Sequence, residues 1–348
     1  MNTAEKLTGH LVVLASVLEG GPAEVAKGEA GKIAKALASP AILESAEREV
    51  LESLLLACQV FVEKARELEG EAVEKLIQCC VFLMGADINF DLREDTEELL
   101  EDLSGGNVPG LLEKCFVKLV QMLKGEDEAP VWTSAKNPKL RGEGGRPASE
   151  AKDGWRARRA VYGTINDKLT RSYFAAFDAL MRIAGETGGK YFGSVIEIFE
   201  SHMDVENEPE SRLLMMALLE SVLSKKETAE YIKKGGFGGK LVKDVVAPNI
   251  VWKAGGVASS IRKVAIAALF TLLKKEVLET EVLFKSAPQL LPILKTNLGD
   301  YDASSRQLCC LSLGILFATL PGALGNEAVH QLYPDLLKCL DDSSDDVR

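Results

Sequence analysis

Histidine is scarce in this 348-residue chain: His10, His202 and His330 are the whole supply. Three such widely separated residues leave little material for a Ser/His/Asp arrangement or a histidine metal cluster. Aromatic residues make up only 6%, which suits helices of Leu, Ala and Val better than the strands of a β-sandwich. The seven cysteines, at 58, 79, 80, 115, 309, 310 and 339, contain no C-x-x-C and include two adjacent pairs. That pattern is neither a zinc spacing nor a disulfide framework, and it reads as reduced core thiols in a cytoplasmic protein. Positive charge is also in deficit. A formal net charge of −11 argues against a nucleic-acid partner, because phosphate contact needs a concentrated basic surface. Met1 to Leu14 has no positive segment leading into a signal-peptide core, and no cleavage motif follows. The one long uncharged stretch runs from Gln307 to Asn326, and its helical part must end near Pro321-Gly322. About 14 residues rising about 1.5 Å each give roughly 21 Å, short of a bilayer core of roughly 30 Å. We read it as a buried helix and expect no membrane contact.

What the chain does have is apolar spacing of helical type. With 47% hydrophobic and 27% charged residues it can bury a large core. Residues 5–18, 22–38, 41–68, 71–84, 94–103 and 108–124 read as helices, punctuated by Gly20-Gly21-Pro22, Ser39-Pro40, Gly70 and Gly105-Gly106. From 125 to 154 the pattern collapses into a Gly/Pro/charge-rich segment, too long and too polar for an ordinary turn, and a mobile insert is expected there. Helices resume at about 155–170, 172–185, 189–203, 209–225, 239–252, 258–275, 287–298, 303–320 and 327–340. The expected organisation is therefore N-terminal helical repeats over 1–124, a flexible insert over 125–154 and C-terminal repeats over 155–348.

Proline, aspartate and arginine recur at fixed offsets in the last hundred or so residues. Pro248, Pro292 and Pro334 precede Arg262, Arg306 and Arg348 by the same 14 residues, and the units repeat at 44 and then 42. A period near forty in helical sequence means stacked helix pairs. Asp300 and Asp342 stand eight residues after the last two prolines, where the first unit has Gly256. Each residue type has a mechanical use. A proline within the first helix removes a backbone donor and bends that helix around its neighbour. An aspartate at the turn accepts from the N–H groups opening the second helix, and an arginine in that helix reaches the aspartate of an adjacent unit. Upstream the register passes through Arg212 and Arg171. Apolar residues follow each arginine at three, four and ten positions: Phe174, Ala175 and Met181; Met215, Met216 and Val222; Ala265, Ile266 and Leu272; Cys309, Cys310 and Leu316. No single helix pair can cover such a face alone, so each unit must stack on the next. Arg348 stands where a second helix is due, and we expect a truncated chain with an open final repeat. The fold class that follows is all-α, a solenoid of antiparallel helix pairs.

Three local features invite a chemical reading. Asp87, Asn89, Asp91 and Glu98 match positions of a calcium loop, but Leu92 occupies the place of the obligatory glycine and Glu94 that of an apolar residue. Lys234-Gly235-Gly236-Phe237-Gly238-Gly239-Lys240 looks like a phosphate loop, yet Leu241 replaces the Ser/Thr and no strand precedes it. We read it as a turn between helices and expect neither metal nor cofactor. The basic stretch in and after the insert has Lys136, Lys139, Arg141, Arg146 and Lys152 between Trp132 and Trp155, and Arg156, Arg158 and Arg159 just beyond. Tryptophan and arginine are frequent at binding hot spots, so this stretch is either a solvated linker or a protein-binding segment.

The Pro…Asp…Arg pattern resembles the signature of HEAT repeats, which have an armadillo-like superhelical fold. The run from His330 to Arg348, HQLYPDLLKCLDDSSDDVR, resembles a late repeat of the HEAT-repeat dynein axonemal assembly factors. That resemblance implies a non-enzymatic cytoplasmic adaptor for dynein arm assembly in cilium biogenesis, with dynein chains, other assembly factors or chaperones as partners. A HEAT scaffold of the phosphatase-subunit or transport-receptor type, with a different client, is the alternative. No convergent set of titratable groups argues for an enzyme.

Overall fold

The computed structural model describes residues 3–43, 45, 47–86, 90–124, 167–207, 209–322 and 324–348. The chain is all-α, with stacked antiparallel helix pairs and no strand among the described residues. It divides into two compact units, Met1–Thr187 and Gly188–Arg348.

In the first unit, α1 (Thr3–Gly20) packs on α5 (Arg48–Ala65), and α2 (Ala23–Gly28), α3 (Ala30–Leu37) and α4 (Pro40–Leu43) connect them. The helix expected over 22–38 is interrupted at Glu29, and that over 41–68 begins in earnest only at Arg48. Val50, Leu51, Leu54, Leu55, Cys58, Phe61 and Ala65 recur at three and four residues along α5 and are all buried. Next come α6 (Glu71–Gly85), α7 (Phe90–Ser104), α8 (Val108–Lys124) and α9 (Asp167–Ala184), with α9 packed on α6 and α8. Asp87 and Asn89 of the calcium-loop look-alike lie outside the described residues, while Asp91 and Glu98 fall within a helix. The expected 125–154 insert and residues 155–166 also lie outside. Expected helices at 155–170 and 172–185 meet in one described element, because α9 runs unbroken through Arg171.

After α10 (Glu186–Lys190), the second unit repeats a simple plan. A first helix is followed by a second helix packed on it, and each second helix also lies beside that of the next pair. The first helices are α11 (Phe192–Met203), the composite α14 (Gly238–Lys240), π-helical turn (Leu241–Val246) and α15 (Ala247–Ile250), then α17 (Thr280–Asn297) and α19 (Asn326–Cys339). The second helices are α12 (Pro209–Leu223), α16 (Gly256–Lys274) and α18 (Ala303–Thr319). Residues 226–234, absent from the helices expected, form α13, whose Thr228, Ala229 and Ile232 are buried. α17 starts at Thr280, seven residues before the expected start, and carries both Pro288 and Pro292. Burial of Leu283, Ala287, Leu290, Leu291 and Leu294 outweighs the donors those prolines lack.

The glycine-rich look-alike is a turn from α13 into α14. Gly236 has φ 70°, which only glycine adopts freely, and a Cβ on Gly238 would come within 2.9 Å of the Leu278 side chain. Backbone conformation accounts for Gly236 and close packing for Gly238. Among the described residues, α16 alone is long and apolar enough to cross a membrane. It is a middle member of the stack, with Ile261, Ala265, Ile266, Leu269 and Leu272 buried. The uncharged stretch after Gln307 ends its helix at Thr319.

Candidate protein-binding surface

The second helices are fixed in register by their arginines. Arg262, in α16, donates from Nε to Asp300 Oδ2 at 2.6 Å and from Nη1 to the Lys253 carbonyl at 3.3 Å. Its side chain and that of Asp300 are only 5% and 1% exposed, so water cannot compete for the pair. Arg306, in α18, grips Asp342 with both arms, Nε to Oδ2 at 2.7 Å and Nη2 to Oδ1 at 2.6 Å. Its Nη1 binds the Asp300 and Tyr301 carbonyls at 2.8 and 3.1 Å. One arginine thus ties the turn before it to the unit after it, with the planar fork supplying the geometry. Arg306 therefore meets Asp300 through the main chain, and the Asp300 carboxylate belongs to Arg262. Arg348 binds the Asp342 carbonyl at 2.9 Å and pairs with Asp345. Asp300 and Asp342 also accept from the N–H two residues on, at 2.9 Å each, whereas the cap of α18 is Asp302, which accepts from Ser304 and Ser305.

The first complete rung is different. Gly256 opens α16, and the acceptor for Arg212 is Asn249, whose Oδ1 takes Nε at 3.1 Å and Nη2 at 2.6 Å. Burial pulls the Arg212 guanidinium below its ordinary pKa, and Asp204 and Glu206 oppose that shift. Asn249 donates in turn to the Met203 and Val245 carbonyls at 2.9 and 2.7 Å. Asn297 repeats those contacts one unit on, donating to Ile250 and Ile293 at 3.1 and 2.7 Å. Neither asparagine was singled out by the periodicity. The signal was nonetheless present, since Asn249, Asp300 and Asp342 stand 37, 38 and 36 residues beyond their arginines. Of the three prolines, Pro248 lies in α15 just after the π-helical turn, and Pro292 and Pro334 lie inside α17 and α19.

With the arginines as reference, the inward face behaves as the spacing suggests: Met215, Met216, Val222, Ala265, Ile266, Leu272, Cys309 and Leu316 are buried. Cys310 is only half-buried. The opposite face carries a second regularity. Two residues beyond Arg212, Arg262 and Arg306 stand Leu214, Val264 and Leu308. Five beyond stand Ala217, Ala267 and Leu311, and nine beyond stand Ser221, Thr271 and Ile315. All nine are exposed or half-buried, Leu214 at 57% and Leu311 at 45%. None is charged, although the chain is 27% charged. Because α12, α16 and α18 lie side by side, the nine positions form one band across three helices. A solvated helix face in such a chain would carry charge, and an uncharged band with exposed leucines suits a protein interface. Lys274 stands at one end of the band, its Nζ 5.5 Å from the Phe270 ring centre.

The expected binding residues Trp132, Trp155, Arg156, Arg158 and Arg159 lie outside the described residues. Burial holds Cys115, in α8, up at about 11, and on α18 burial followed by the neighbouring Cys339 lifts Cys310 to about 12. Thiols so protonated are poor nucleophiles.

The chain is similar to proteins named as dynein axonemal assembly factors. The chain is 26% identical over 351 residues to dynein axonemal assembly factor 5 of Homo sapiens, covering 97% of this chain and 36% of that protein. The Xenopus laevis protein of the same name is 24% identical, covering 98% of this chain and 37% of the relative. For Mus musculus the figures are 25%, 97% and 36%. The chain thus spans little more than a third of the length of these relatives. No family model matches it. A solved structure of an engineered protein aligns over 100% of the chain at 14% identity, with a TM-score of 0.36, too low to carry any argument.

Proposed function

We propose that this chain is a non-enzymatic scaffold of HEAT type that holds protein clients on the uncharged band of α12, α16 and α18 during cytoplasmic preassembly of axonemal dynein arms. Its partners are dynein chains, other assembly factors or chaperones. The band carries the reading, since it gives a protein client an apolar centre on helices that the arginine rungs keep rigid. Similarity to three dynein axonemal assembly factor 5 proteins along nearly the whole chain supports the dynein-assembly part of this reading.

Removing the protein from motile-ciliated cells is expected to abolish dynein arms. Wild type should restore them, and a folded Leu214→Glu/Leu311→Glu variant should not. Intact arms and normal beating after removal would overturn the dynein reading and leave a general regulatory scaffold with another client. Substituting Trp155 together with Arg158 in the same assay shows whether the basic stretch belongs to the interface.

A further inference from the structure

The band on α12, α16 and α18 has dimensions and a chemistry that together limit what can lie on it. Its rows run from two to nine residues beyond the arginines, about 10 Å along the helix axes at about 1.5 Å per residue. Across the helices it is longer, because neighbouring axes lie about 8–10 Å apart and three helices in a row give about 16–20 Å. An occupant therefore lies across the helices. Ala217 and Ala267 keep the middle row low on α12 and α16, where a partner backbone can approach closely. α16 has a neighbour on each side, yet Val264, Ala267 and Thr271 stay half-buried, so the centre of the band is open within the stack itself.

Backbone groups decide the conformation of the occupant. The main chain beneath the band lies inside three helices, whose N–H and C=O groups bond along their own ladders. The side chains offer little more, since only Ser221 and Thr271 of the nine carry a polar atom. An extended segment pressed on this surface would bury its own N–H and C=O groups without partners. A helix satisfies them internally. Charge sets the second condition. A charged side chain facing the band would be desolvated with nothing opposite it, whereas the margins carry Glu220 on α12 and Lys274 on α16, with Lys263 tied to Asp302 at 2.8 Å.

We infer that the band takes an amphipathic helix of a client protein, laid across α12, α16 and α18 with an uncharged face toward them. The inference rests on the scaffold reading and gives its client a form. One helix of the stack is separated from the next by about six or seven residues of the occupant. Apolar residues of the client helix therefore recur three and four apart and again at about seven, over about three turns or more. Both signs of charge flank that face, as both signs flank the band.

A phage-displayed library of random peptides of about 18 residues, enough for about five helical turns, selected against the immobilised chain, tests this. Enriched peptides should show that spacing, and synthetic copies should gain helical circular dichroism on binding. A proline placed in the middle of such a peptide should weaken binding about tenfold or more, because it breaks the helix. Binding should fall by a similar factor for Leu214→Glu/Leu311→Glu and for Ala217→Arg. Ala217 is exposed, so its variant should keep the wild-type circular dichroism and Tm, which separates lost binding from lost fold. Peptides that need Leu214 and Leu311 but tolerate the proline would overturn the helical occupant and leave the band as a client surface. Peptides indifferent to all these substitutions would overturn the band as an interface as well. No enrichment at all, or sedimentation showing a dimer of the chain that the two glutamates dissociate, would also overturn the helical client.

Discussion

Arg212 meets the amide of Asn249 at the place where Arg262 and Arg306 meet aspartates. The exchange is forced by what else Asn249 does. Its amide nitrogen satisfies the Met203 and Val245 carbonyls in a site where the residue is 3% exposed, and a carboxylate has no proton to offer them.

Asn249→Asp should therefore destabilise the protein, although it makes the rung match its neighbours. Two buried carbonyls would lose their donor and face a negative charge, at a cost of about 1–3 kcal/mol after the gain from Arg212. Thermal melting of the variant measures it. A Tm at or above wild type would show that the ion pair outweighs the two amide bonds.

Arg262→Ala strands the Asp300 carboxylate in a site where the side chain is 1% exposed. Breaking a buried pair from one side costs about 3–5 kcal/mol. Arg306→Ala should cost less, because its rung is more accessible, at 12% and 10% for the two side chains. Urea denaturation of both variants gives the order, and a reversed order would mean that exposure does not set the strength of these rungs.

Acid should loosen the last rung. Arg306, then the Ser344 N–H, draws the Asp342 carboxyl down to about 2, below the usual value of about 3.9 for an unfolded aspartate. A depressed folded pKa means that the stabilisation is complete above about pH 4 and is lost as the pH falls toward 2. Melting curves for wild type and Asp342→Asn from pH 5 to pH 2 should converge at the acid end. Curves that stay parallel throughout would dissociate Asp342 from the acid response.

Glutamate at Leu214 and Leu311 should leave stability nearly unchanged, within about 0.5 kcal/mol each, since both side chains already face solvent. Client binding should fall sharply. For wild type, raising the salt from about 0.05 to about 0.5 M should weaken the contact only in part, because rim charges are screened beyond a Debye length of about 10 Å or less while an apolar centre is not. Complete loss at high salt would point to charge, and not the band, as the source of affinity.

The sequence alone determined the all-helical class and the forty-odd-residue period, because both are written in short-range spacing: apolar residues three and four apart, and a proline fourteen residues before an arginine. It also brought Arg262, Arg306, Asp300 and Asp342 to notice. It did not reveal α13, whose few apolar positions are crowded by lysine and glutamate, nor the early start of α17, where two prolines imitate a helix boundary. Only the tertiary structure decided the acceptors. Asn249 sits within a first helix and before the turn, so composition by position could not equate it with an aspartate in a turn, yet each accepts from the arginine of the preceding second helix. The band likewise exists only after stacking. Leu214, Val264 and Leu308 lie more than forty residues apart in the chain, and it is the lateral packing of α12, α16 and α18 that turns three separate helix faces into one surface.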